Sequence, residues 1–204
     1  MSNRRKIGTP RRWQQWVVAL LLYATTLWRP AAALAQPLAI DVEKSVMTVH
    51  VSKAGFLSAL GHDHEIVAPI TRGTVDTAAR QVDLYAKAGA LQVRDPKASE
   101  NDRSQVQYTM LGPEVLDAQR YTEIAFRSTN ADLTAAGFWK VSGILTLHGQ
   151  TRPIGVDVQE TGGHYVGHFN FKQTDFGIKP VKAAGGSIQV KDEVRVEFDI
   201  QLAR

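Results

Sequence analysis

The sequence predicts an all-β domain of about eight or nine antiparallel strands, arranged as a closed barrel or a sandwich, with one short helix near residues 100–111. Three observations predict it. Apolar residues recur at every second position through most of the chain after Gln36, the period of a strand with one dry and one wet face. Turn residues divide those runs at hairpin spacing, which makes consecutive strands antiparallel neighbours. One stretch breaks the alternation and carries helix signals instead.

In chain order, Met47, Val49 and Val51 oppose Thr48, His50 and Ser52, and Val82, Leu84 and Ala86 oppose Asp83, Tyr85 and Lys87. The helix comes next. Ser99 followed by Asp102 is a hydroxyl with a carboxylate three residues on, a helix-start signature, and Val106 and Met110 share one helical face. Gly112 and Pro113 stop it, with one further turn over residues 114–118. Then Ile124 and Phe126 oppose Glu123, Ala125 and Arg127. Trp139, Val141, Gly143, Leu145 and Leu147 alternate with Lys140, Ser142, Ile144, Thr146 and His148. Ile154, Val156 and Val158 alternate with Gly155, Asp157 and Gln159; Tyr165, Gly167, Phe169 and Phe171 alternate with His164, Val166, His168 and Asn170. The last segment is the clearest, with Val194, Val196, Phe198, Ile200 and Leu202 set between Glu193, Arg195, Glu197, Asp199 and Gln201. Residues 149–153, Gly162-Gly163 and Gly185-Gly186 supply turns. No linker or repeat interrupts residues 36–204, so they read as one domain.

Composition bounds the function. The chain has 204 residues, 44% hydrophobic and 22% charged, as a globular protein does. The formal charge is +4, yet Arg4, Arg5, Lys6, Arg11, Arg12 and Arg29 all fall in the first 35 residues, which hold no acid. The remaining 18 basic residues face 20 acidic ones, a net −2. A body so close to neutral has no electrostatic reason to bind nucleic acid.

Residues 1–35 read as a cleaved export signal. A basic start precedes an apolar run over residues 17–28, about 18 Å as a helix, too short for a bilayer core that needs about 20 residues. Ala33-Leu34-Ala35 has the small-x-small form of a cleavage site and puts the mature start at Gln36. The mature chain then carries no transmembrane helix and is periplasmic or secreted. Arg11-Arg12 before Trp13 supplies an arginine pair with poorly fitting flanks, so both the general secretory and the twin-arginine routes stay open. With no cysteine, the exported body rests on its core alone.

A barrel has one interior, and Gly143 and Gly167 on the dry face beside Trp139, Phe169 and Phe198 leave room in it. The same face also serves as plain core. Four stretches then resemble the YceI-like family of lipocalin-like, polyisoprenoid-binding bacterial proteins. They are Val46 to Gly55; Val115-Leu116-Asp117-Ala118 with Tyr121-Thr122-Glu123-Ile124-Ala125-Phe126-Arg127-Ser128; Gly143-Ile144-Leu145-Thr146-Leu147-His148-Gly149-Gln150-Thr151-Arg152-Pro153; and Asp175-Phe176-Gly177-Ile178-Lys179-Pro180. The resemblance spans about residues 38–203 in the family's order. It implies an extended eight-stranded antiparallel barrel, a periplasmic address, and an isoprenoid lipid or quinone in an apolar interior, bound without turnover. Phe126, Trp139, Leu145, Phe169 and Phe198 are then the candidate pocket wall. Two departures stand out: Arg94-Asp95-Pro96-Lys97 replaces the family's Arg-Asp-x-His-Leu segment, and Thr122 follows Tyr121 where proline is frequent. A homodimer is left open.

The candidate head-group residues are His62, His64, His148 and Arg152. His62 and His64 on an extended segment lie about 6.6 Å apart on one face, close enough to share a divalent ion with Glu65 or water. A third ligand, such as His50 or His148, has to come from elsewhere. A metal-binding protein or metal-dependent hydrolase built on His62-Asp63-His64 is therefore the second reading, and a polar barrel rim is the plainer role for those residues. His164 and His168 stand about 13 Å apart, too far to share an ion. His148 reads first as a turn residue bonding backbone toward Thr151 or Arg152, and Arg152 as an outer-face ion-pair partner or a carboxylate or phosphate contact. No nucleophile elbow or phosphate loop occurs.

Overall fold

Hydrogen bonding gathers the alternating segments into one curled antiparallel sheet. The computed structural model describes residues 36–54, 63–96, 98–183 and 188–203; the expected export signal with its Ala35 cleavage point, His62 and the expected Gly185-Gly186 turn lie outside them. The strands are β1 (Leu38–Ala39), β2 (Val46–Ala54), β3 (His64–Val67), β4 (Ile70–Asp76), β5 (Gln81–Lys87), β6 (Gln92–Val93), β7 (Glu123–Ala135), β8 (Phe138–Leu147), β9 (Gln150–Thr161), β10 (His164–Lys172), β11 (Lys182–Ala183) and β12 (Ile188–Gln201), with α1 at Glu100–Leu111. Neighbours run β1-β4-β5-β7-β8-β9-β10-β12-β2-β3-β6, and β11 lies on β12.

The sheet thus has twelve hydrogen-bonded segments where eight strands are expected. Two physical causes account for the difference. Segments β1 and β6 are two-residue pieces at the two edges, and β11 is a two-residue piece beside β12. Pro69, which has no N–H to donate, separates β3 from β4. Ala68 still donates to the Met47 carbonyl at 2.9 Å, and pairing resumes with Ile70 opposite Ala86. Because β3 pairs with β2 while β4 pairs with β5, this one stretch of chain draws the two flanks of the sheet together.

Local chemistry explains the turns. Gly162 and Gly163 have φ of 61° and 86°, the positive values that a two-residue hairpin needs at both positions, and Thr161 pairs with His164. His148 (49°) and Gly149 (70°) do the same between Leu147 and Gln150. The His148 ring sits edge-on to Tyr121, 4.6 Å between centroids. Its Nδ1 meets the Phe176 carbonyl at 3.1 Å and, facing an acceptor, donates there. The partner is therefore the loop after β10, not Thr151 or Arg152. The contact thus ties the β8–β9 turn to the segment that follows β10.

Helix α1 forms as its cap signals predict. The Ser99 hydroxyl oxygen accepts from the Asp102 N–H at 3.1 Å, and Glu100 and Asp102 place negative charge in the first turn. Gly112 and Pro113 end the helix, and residues 114–118 continue as hydrogen-bonded turns. Gln107 fixes the helix to the sheet, donating to the Leu91 carbonyl and accepting from the Val93 N–H, both at 2.8 Å. Met110 and Leu116 join Ile66, Leu145, Leu147 and Phe176 in the largest buried cluster, so the helix closes one end of the curl. At the other end Ile40, Ile70 and Ile200 form a smaller cluster.

Two glycines on the inner face are required by close approach. A Cβ on Gly143 would lie 2.6 Å from the Arg127 carbonyl oxygen and against the Phe126 ring; one on Gly167 would lie 2.5 Å from the Asp157 oxygen and 2.6 Å from Phe198 Cζ. Gly155 has open space around it. Urea unfolding should show Gly143→Ala and Gly167→Ala each less stable by about 1–3 kcal/mol, while Gly155→Ala stays within about 0.5 kcal/mol of the parent.

Candidate ligand cavity

Strand register decides which side chains face inward. Trp139 stands opposite Val158, Val158 opposite Gly167, Gly167 opposite Phe198 and Phe198 opposite Met47, a continuous row across five strands. Val141 and Val156 pair in the next inward row. Apart from Gly167, these residues line a cavity of about 360 Å³ together with Val82, Leu84, Phe126 and Phe169, within the usual range for small-molecule sites. Phe126, Trp139, Phe169 and Phe198 all line it. Leu145 does not; it lines a second, apolar chamber of about 120 Å³, deeper toward α1, with Ile66, Leu147 and Val196.

The polar lining of the larger cavity is confined to the end away from α1. Asp76, Thr77, Arg80 and Gln81 come from the β4–β5 turn, and Glu160 and Tyr165 from the β9–β10 hairpin. Asp76 stabilises its turn by accepting from the Ala79 N–H at 2.8 Å. Arg80 occupies the left-handed region at φ 55°, where glycine is the default. Among the described residues lining the cavity it is the one cation. Glu160 is held by two donors, the Trp139 indole Nε1 at 3.2 Å and the Tyr165 hydroxyl at 3.4 Å. Burial first, and then the neighbouring Glu160 carboxylate, push the Tyr165 phenol above its ordinary value of 10.0.

The sequence-derived head-group candidates stand elsewhere. His62 lies outside the described residues. His64 Nδ1 is 2.6 Å from Asp95 Oδ2, and the other oxygen of this buried carboxylate accepts from the Glu65 N–H. His64 faces a further void of about 360 Å³ beneath α1. His148 is in its turn, and Arg152 is exposed on β9, donating to the Thr151 carbonyl at 2.8 Å. None of the three lines the large cavity. Among the described residues, no three His, Cys, Asp or Glu side chains are grouped to hold a metal ion, and no helix is long and apolar enough to cross a membrane. A wider outer groove of about 680 Å³ has His168, Arg195, Glu197 and Asp199 along it, and is a poorer site for an apolar ligand because its walls are charged and wet.

Sequence comparison agrees with this architecture. The YceI-like domain family matches residues 38–202. The chain belongs to the YceI-like family. Among similar proteins of this YceI-like chain are a UPF0312 protein of Vibrio cholerae, 26% identical over 180 residues covering 82% of this chain and 89% of the relative. Another is a UPF0312 protein of Shewanella baltica, 25% identical over 170 residues covering 78% of this chain and 85% of the relative. The crystal structure of Burkholderia cenocepacia BcnA superposes with a TM-score of 0.60 at 17% identity, covering 81% of this chain and 99% of BcnA; at that identity the likeness concerns the fold.

The Tyr165 environment gives a pH prediction. An acid whose pKa rises on folding binds its proton more tightly in the native state, so its contribution is complete below the unfolded value and is lost as pH climbs through the folded one. Ultraviolet titration of phenolate should show a step above the ordinary tyrosine value of about 10, and Tyr165→Phe should remove it. Stability should fall with rising pH above about 10, less steeply in Tyr165→Phe.

Proposed function

We propose that this protein is an exported, non-enzymatic carrier that holds an isoprenoid-tailed amphiphile, a polyisoprenoid or quinone-like lipid, inside its curled sheet. The observation that carries the proposal is the 360 Å³ cavity itself, aromatic and aliphatic along its length and polar at one end only. That distribution suits a molecule with a long apolar tail and a small polar head, since each methylene taken from water is worth about 0.8 kcal/mol. The wall is the curled antiparallel sheet, broadly of the lipocalin-like kind that the family resemblance implies. Phe126, Trp139, Phe169 and Phe198 form the tail contacts, with Leu145 deeper. The head lies near Arg80 and Glu160, two of the polar groups that line the cavity end. Residues 1–35 direct export and leave the carrier domain from Gln36 onward in the periplasm or outside the cell.

The test is organic extraction of the purified protein followed by mass spectrometry. A co-purifying prenyl lipid or quinone is the expected result. Trp139→Arg, which puts a guanidinium on the apolar wall at the cost of burying charge, should lower loading at least tenfold while circular dichroism keeps its β signature. An extract free of amphiphile, together with no binding of added prenyl alcohols, would remove the proposal.

A further inference from the structure

The interior is divided. Met47, Ile124 and Phe169 line both the 360 Å³ cavity and the 120 Å³ chamber beyond it, so these three side chains are the partition between the two. They come from three sides of the wall. Met47 is on β2, Ile124 on β7 and Phe169 on β10; β8 and β9 separate β7 from β10, and β12 separates β10 from β2. All three are only partly buried, because each has free space on either side. They differ in how readily they yield. Met47 has an unbranched, adaptable side chain, Ile124 is stiff at χ1, and Phe169 is the bulkiest, its ring 6.2 Å from that of Phe171.

Size gives the partition a consequence. A cavity of about 150 Å³ accommodates benzene, six carbons. On that scale the outer chamber takes on the order of fourteen carbons, about three isoprene units, and the inner one about five carbons, one unit more. The inner chamber is closed beyond by Met110 and Leu116 of the helix end. We propose that Met47, Ile124 and Phe169 set the length of tail this protein accepts: three units fill the outer chamber, and a longer tail binds only when the partition is displaced. The proposal rests on the carrier reading above and adds a length limit to it.

The experiment measures equilibrium binding of prenyl alcohols of two, three, four and six isoprene units to the purified protein, followed by the change in tryptophan emission and by equilibrium dialysis. The parent protein should gain affinity from two to three units and no more than twofold from three to four. In Phe169→Ala, which joins the chambers, the ratio of four-unit to three-unit affinity should rise at least tenfold. Should that variant not fold, Met47→Ala and Phe169→Leu open the same passage by smaller steps, with an expected rise of about threefold. Affinity that climbs steadily through four and six units in the parent, with the same profile in the variants, overturns the length limit and leaves the carrier reading intact. Absence of binding by every alcohol in every form overturns both.

Discussion

An antiparallel sheet that curls until its flanks meet has one enclosed side, and whatever its inward side chains leave unfilled becomes cavity. In this chain the curl depends on the stretch from His64 to Asp76. Its first part pairs with β2 and its second with β5, and Pro69 allows the change of partner because it has no donor to commit to either. The far end is strapped by the segment around β1. Ile40 donates to the Gly73 carbonyl at 2.9 Å on one side, while Asp41 donates to Gln201 and Ala203 donates to Ala39, both at 2.8 Å, on the other. Backbone groups that would otherwise be exposed on β4 and β12 are thereby paired, which removes the edge that an open sheet presents to other chains.

The two ends of the curl have opposite character. At the α1 end, the helix, the Gln173–Phe176 3-10 turn and the short β6 fill the opening with Met110, Phe176 and Leu91. Buried polar groups there are all satisfied, Asp95 by His64 and the Glu65 N–H, and Gln173 by the Lys191 carbonyl at 2.8 Å. At the other end the β4–β5 and β9–β10 turns contribute Asp76, Arg80 and Glu160 to the cavity lining. The outer wall carries its charges in exposed pairs such as Arg72 with Glu123 and Arg195 with Glu197, 2.8 Å each, which keep the surface wet and contribute little to stability. In the proposed carrier role, a tail would lie with its polar end at these turns.

The strands were legible in the sequence because a half-buried strand writes its geometry as a period of two. The Val194 to Leu202 alternation, the Gly162-Gly163 turn and the Ser99 cap all correspond to observed elements. Where sequence reasoning fell short, the missing information was spatial. Nothing local marks Pro69 as a joint between two partners. The turn residues Asp76 to Gln81 have no periodicity, so their position at a cavity mouth was invisible, whereas the histidines drew attention by their chemistry alone. His64 shows the limit well: its spacing from His62 suggests a shared ion, but its Nδ1 is engaged by Asp95, thirty-one residues away in the chain. Glu160 lies just past the alternation that runs over residues 154–159, although it follows the inward Val158 by two and so belongs to the same face.

Why the interior stays open follows from the same glycines that the close packing requires. A phenyl ring pointing straight into a barrel of this size would fill it. At Gly143 the missing Cβ leaves a notch that the Phe126 ring enters from the neighbouring strand, and at Gly167 the notch takes the Phe198 ring. Each ring is thus seated toward the wall, and the outer cavity that both rings line stays open. A side chain at either glycine would lift the ring inward, so a residue that adds volume to the wall would close the lumen from across the strand. The glycines thus act on the cavity through their aromatic neighbours: the space is held open by rings seated in the notches, and in the proposed carrier role a preformed cavity would lower the cost of ordering a ligand.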